Sequence, residues 1–156
     1  MSLVEFIILS ALSLAPGRDH TQFAGILANS LASEEPLVKG DPDKLRSAAL
    51  LIAIAFRESS FRLDAKSATN DFCFYQIHNR PELASDPVTC TRVAIRMLRE
   101  SIRMCKSHPV AFFASGPGAC SNARAQRISN DRVRLAGRIY DNGIKRKSEA
   151  GSQAVP

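Results

Sequence analysis

The sequence lacks the marks of several functional classes. No two of its four cysteines, Cys73, Cys90, Cys105 and Cys120, form a C-x-x-C pair, and no histidine stands at ligand spacing from them. A zinc site needs clustered thiolates or imidazoles, so no metal is expected, and no other cofactor. His20, His78 and His108 are dispersed and have no nucleophile pattern beside them; ordinary polar or capping roles are expected. Glycine and proline, eight each, are scattered as punctuation, which excludes low-complexity blocks, and no period marks a solenoid. Gly116-Pro117-Gly118 has no Gly-Lys after it and is no phosphate loop. The apolar N-terminal stretch to Ala15 is too short and too polar to span a bilayer. No Lys or Arg precedes it, and Glu5 stands where a signal peptide carries positive charge, so it is expected to be the first helix of a domain made in the cytoplasm.

What is present fits one compact domain: 156 residues, 45% of them apolar, enough for a single core. We expect that domain over 1–144 and a polar, disordered tail over 145–156. The net charge of +6 is uneven, with 8 Lys/Arg against 11 Asp/Glu in residues 1–90 and 13 against 4 in 91–156. A basic half points toward a polyanion, whether nucleic acid, an anionic membrane surface or a cell wall, or else forms a solvated face. Cysteine separations of 17, 15 and 15 leave open two disulfides, or one disulfide with buried thiols; disulfides would imply an oxidising destination.

The pattern along the chain is helical. Residues 2–15 and 20–33 have apolar residues at helical spacing, with Pro16-Gly17 between them. Asp41-Pro42 is a helix start signal. The run Ala48 to Phe56 is nine apolar residues without a polar face, which places that helix at the centre of the fold. It breaks at Arg57-Glu58-Ser59-Ser60-Phe61, so a carboxylate emerges from the last turn of the most buried element. Residues 62–90 predict irregular structure with a short hairpin. A helix to Cys105 carries Arg92, Arg96, Arg99 and Arg103 on one face, Pro109 opens a short apolar helix ended at Gly116, and a final helix is expected over 130–140.

Glu58 is the candidate acid. A glycosidase acid must stay protonated near neutral pH, and desolvation beside an apolar helix and the negative end of the helix dipole both disfavour a carboxylate. Its company sharpens the reading. Glu58-Ser59-Ser60-Phe61 is followed by Phe74-Tyr75-Gln76-Ile77 and then Phe112-Phe113-Ala114-Ser115-Gly116. In this order the motifs resemble E-S-x-F, G-L-M-Q-I and A-Y-N-A-G of the lysozyme-like family of lytic transglycosylases and goose-type lysozymes, over roughly residues 45–140.

The resemblance implies an all-α, lysozyme-like fold around a buried central helix, with a short β-hairpin near the cleft. It implies cleavage of the β-1,4 bond between MurNAc and GlcNAc in peptidoglycan, with Glu58 as acid/base and Ser60, Tyr75, Gln76, Phe113, Ser115 and Gly116 on the glycan strand. The sequence departs from the pattern where Phe113-Ala114 replaces Tyr-Asn, which removes a phenol that could hydrogen-bond the acid. Tyr75 and Tyr140 are the candidates to replace it. Asp64 and Asp71 are candidate second carboxylates, Asp71 the better placed; lytic transglycosylases manage with one Glu because the substrate's N-acetyl group assists. A small domain of this kind without a signal peptide further resembles phage virion components acting at the cell wall, with other virion proteins as partners. A non-catalytic virion protein of the same fold and a basic all-α nucleic-acid-binding module are the alternatives, although no specific nucleic acid is expected.

A Cys90–Cys120 disulfide is expected from helix geometry. A short connection should make the 91–105 and 109–115 helices antiparallel. Cys90–Cys105 is nearly excluded, because about 15 helical residues span about 22 Å and a disulfide tolerates roughly 7 Å.

Overall fold

The computed structural model describes residues 1–152, and side-chain surroundings through Glu149. It is a mostly α domain: α1 (Leu3–Leu14), α2 (Thr21–Ala32), α3 (Leu45–Ser59), β1 (Asp71–Phe72), β2 (Ile77–His78), α4 (Pro87–Met104), α5 (Ala111–Ser115) and α6 (Ala123–Ser152). Short 3-10 turns at Pro81–Ala84 and Ala119–Ser121 complete the path. Among the described residues no helix is long and apolar enough to cross a membrane.

The nine-residue apolar run occupies the centre, as its lack of a polar face requires. Ala48 and every residue from Leu51 to Ala55 are fully buried, and α3 packs against α1, α2 and most extensively α6. Each large side chain so buried contributes about 1.5–3 kcal/mol, and one contiguous core runs from Phe6 on α1 to Ile139 on α6.

Local chemistry fixes the helix starts. Ser2 and Glu5 form a reciprocal capping box on α1. Asp86 caps α4 through the Thr89 amide at 2.9 Å, with Pro87 in the first turn, where no amide donor is required. Asp41 serves α3 from further away than its sequence neighbours suggest. Its carboxylate accepts from the amides of Arg46 and Ser47 and from the Ser47 hydroxyl, but the helix begins only at Leu45, after Lys44 in left-handed conformation.

Three expectations are corrected. The last helix runs over Ala123–Ser152 rather than 130–140: it starts earlier, burying Ala125 and Ser129, and it continues through the weak helix formers Asp141-Asn142-Gly143, where Gly143 lies against Phe6 of α1. The expected disordered tail is therefore helical over 145–152, with Arg146 donating to the Leu9 carbonyl at 3.3 Å; residues 153–156 lie outside the described residues. The disulfides pair Cys73 with Cys90 and Cys105 with Cys120, not Cys90 with Cys120. α5 has only five residues, about 7.5 Å of rise, and cannot carry Cys120 back along the roughly 27 Å of α4 to Cys90. It packs beside the far end of α4, where the Phe113 amide donates to the Ser101 hydroxyl at 2.9 Å.

Candidate functional site

α3 ends in a tight reversal. The Ser60 amide donates to the Phe56 carbonyl at 2.9 Å, the 5→1 bond of an αL cap, and the Phe61 amide reaches the Ala55 carbonyl at 3.4 Å. Ser60 and Phe61 are both left-handed, at φ 52° and 63°. Arg18 donates to the Ser60 carbonyl at 2.8 Å. The buried Phe61 ring is fixed among His20, Phe23 and Phe56, with centroids 5.0, 5.0 and 5.8 Å away.

The next turn joins this helix end to the hairpin. The Ser59 hydroxyl donates to the Phe74 carbonyl at 2.8 Å, across 15 residues, and also faces its own Ala55 carbonyl at 3.1 Å. The hairpin pairs Asp71 with His78 and Phe72 with Ile77, antiparallel, and Cys73 in its connection is bonded to Cys90 in the first turn of α4.

A cleft of about 490 Å³ opens between the hairpin and α5. Thr69, Asp71, Tyr75, Gln76, Ile77 and His78 form one wall, Phe112 to Gly116 the other, and Met97 of α4 also lines it. Of the sequence candidates, the cleft brings together Asp71, Tyr75, Gln76, Phe113, Ser115 and Gly116; Glu58 and Ser60 are not among its lining residues. Gln76 spends its amide donors on the carbonyls of Ala65 and Cys73, at 3.0 and 2.9 Å, which leaves its own carbonyl oxygen for a ligand. Gly116, at φ 66°, ends α5 where a side chain would be strained.

Asp71 is the one carboxylate among the described residues lining the cleft, and it is heavily bonded. One oxygen accepts from the hydroxyls of Ser67 and Thr69, both at 2.5 Å, and the other faces His78 Nδ1 at 3.0 Å. Partial burial works to raise its pKa, but the bonds from Ser67, Thr69 and His78 together outweigh it and hold the carboxyl below the ordinary range.

Neither tyrosine reaches Glu58 in the structure. Tyr75 is almost wholly buried; desolvation pushes its phenol well above the usual range, only partly offset by neighbouring Thr91. Tyr140 lies under the Arg46 guanidinium, 5.0 Å from ring centroid to Cζ, and lines a separate apolar cavity of about the same volume between α3, α6 and the 37–39 segment.

The partner of Glu58 is a residue that motif reading did not single out. Arg132 of α6 places Nη2 3.1 Å from Glu58 Oε1 and Nη1 3.1 Å from Asp131, while Asp131 also accepts from Arg57 at 2.9 Å. Arg57-Glu58 on α3 thus faces Asp131-Arg132 on α6 with complementary charges. That complementarity is the signal in the sequence, but it is visible only once α3 and α6 are known to cross. His78, read as an ordinary polar residue, is the other omission. Comparison with protein-family models, with curated proteins and with solved structures finds no match for this chain.

Proposed function

We propose that the protein cleaves the β-1,4 bond between MurNAc and GlcNAc in peptidoglycan as a lysozyme-like muramidase of the lytic transglycosylase type, with Glu58 as its acid/base. The observation that carries this reading is the Ser59–Phe74 bond, which ties the helix end bearing a three-quarters-buried carboxylate to the hairpin wall of the cleft. The order of E-S-S-F, F-Y-Q-I and F-F-A-S-G along the chain supports the same family, and the basic second half of the chain suits an anionic wall polymer.

In this mechanism Glu58 gives its proton to the glycosidic oxygen as the bond from that oxygen to the muramyl anomeric carbon breaks, and the bonding electrons leave with the oxygen. The 6-hydroxyl of the same muramyl residue then bonds to the anomeric carbon while its proton passes to Glu58, which restores the acid. Asp71 favours this internal route over hydrolysis. An inverting hydrolase needs a carboxylate free to take a proton from water, and the donors that lower the Asp71 pKa make it a weak base. A positioned hydroxyl then competes well with bulk water. The Gln76 carbonyl oxygen and the Ser115-Gly116 turn are the groups offered to the sugar.

Digestion of purified murein by wild type and Glu58→Gln, with mass spectrometry of the products, tests the proposal. Wild type should release muropeptides ending in a 1,6-anhydro ring, and the variant should fold normally and release none. Products heavier by one water would make the enzyme a hydrolase, and a variant that keeps about a tenth of the activity or more would remove Glu58 from the acid's role. Murein left intact by wild type would favour a non-catalytic protein of this architecture.

A further inference from the structure

A general acid contributes fully only when its carboxyl is held in one orientation and its charge is met as it develops. Phe113 cannot hydrogen-bond Glu58, and both phenols of the chain are placed elsewhere, Tyr75 enclosed and Tyr140 beneath Arg46. The group on Glu58 is the Arg132 guanidinium, with side-chain exposures of 16% for Arg132 and 25% for Glu58 against 38% and 35% for the outer Arg57–Asp131 pair. Arg132 is fixed on two sides, by Asp131 at Nη1 and by Glu58 at Nη2, and its Nε is buried without a partner among the described residues. A largely enclosed guanidinium that leaves one buried donor unsatisfied is a costly way to join two helices that already share an apolar interface, because the desolvation of Nε is not repaid. Such a cost is characteristic of a functional site.

We propose that Arg132 is the positioning residue of Glu58, filling the role left open by the missing phenol. The inference rests on Glu58 being the acid of the proposed cleavage. When Glu58 releases its proton to the leaving oxygen, the carboxylate that forms faces Nη2; when the 6-hydroxyl proton arrives, that charge is removed. Arg132 therefore acts where charge develops on the acid, and its loss should appear in kcat rather than in KM.

The test compares Arg132→Met, Arg132→Lys and Arg57→Met on soluble murein fragments, with kcat, KM and thermal midpoint measured for each. Arg132→Met should lower kcat about 100-fold, the scale of losing one preorganised donor, with KM changed less than about twofold. Arg132→Lys should recover about tenfold of that loss, because it keeps the charge and loses the planar fork. Arg57→Met, which breaks only the outer pair, should lower the midpoint without lowering kcat. The proposal is overturned if Arg132→Met keeps wild-type kcat, if lysine gives no recovery, or if Arg57→Met matches its kcat loss. Should the methionine variant fail to fold, Arg132→Gln is read by the same criteria. Wild type inactive on these fragments would instead overturn the assignment of Glu58, and this inference with it.

Discussion

Ser60 and Phe61 hold left-handed backbone without being glycine, at an expense of about 1–3 kcal/mol each, and they stand two and three positions after Glu58. The Phe61 ring among its aromatic neighbours and the Arg18 bond to the Ser60 carbonyl keep the reversal in place. At Asp71 the local bonds carry a stability consequence. Its carboxyl has a folded pKa below the unfolded value, so it stabilises the fold above the ordinary Asp range, near pH 4, and that contribution fades as pH falls through the folded value. Asp71→Asn should therefore be less stable than wild type in urea at pH 7, and the gap should narrow by pH 3; a gap that stays constant with pH would show that the charge of Asp71 is not what matters. Residue by residue, Glu58 was legible because an apolar run that stops abruptly marks the end of a buried helix. Arg132 was not, because its meaning depends on a crossing that no local period reports.

Among the elements, α3 could be read almost residue by residue, since nine apolar residues in succession allow only a central position. The hairpin was legible as turn chemistry, although its two-residue strands lie below what alternation can reveal. α6 was underestimated: past Tyr140 most of its side chains are exposed, so hydrophobic period falls silent, and Asp141-Asn142-Gly143 has the low propensity of a helix end although the helix runs through it. One glycine explains how so long a helix approaches α1. A Cβ on Gly143 would come within 2.2 Å of the ring of Phe6, which is fully buried and cannot give way. In an exposed helix Gly→Ala gains up to about 1 kcal/mol; here Gly143→Ala should instead lower stability by about 1–3 kcal/mol through overpacking. Denaturant unfolding decides by sign alone, because a stabilised variant would mean that α6 does not seat on Phe6 as described.

On the scale of the whole molecule, the expectation of an all-α domain with a central buried helix matches the structure, and the disulfide pairing does not. Pairing depends on which chain ends meet, and the length of α5 decided that. Each staple holds one wall of the cleft: Cys73–Cys90 fastens the hairpin to α4, and Cys105–Cys120 closes the segment that carries α5. Closing loops of 17 and 15 residues contributes about 3 kcal/mol apiece, while the apolar run of α3 is held chiefly by α6, α1 and α2. Reduction should then leave the far-ultraviolet circular dichroism nearly unchanged. Hydrogen exchange should accelerate across residues 66–79 and 106–120 and stay slow across 48–55; a uniform rise over all three would contradict this division. If the protein cleaves murein as proposed, the same staples time its action. With both pairs reduced the chain would keep its helical body while the two walls of the cleft loosened, and reoxidation would set them again, so activity on murein should follow the thiol–disulfide state of the protein.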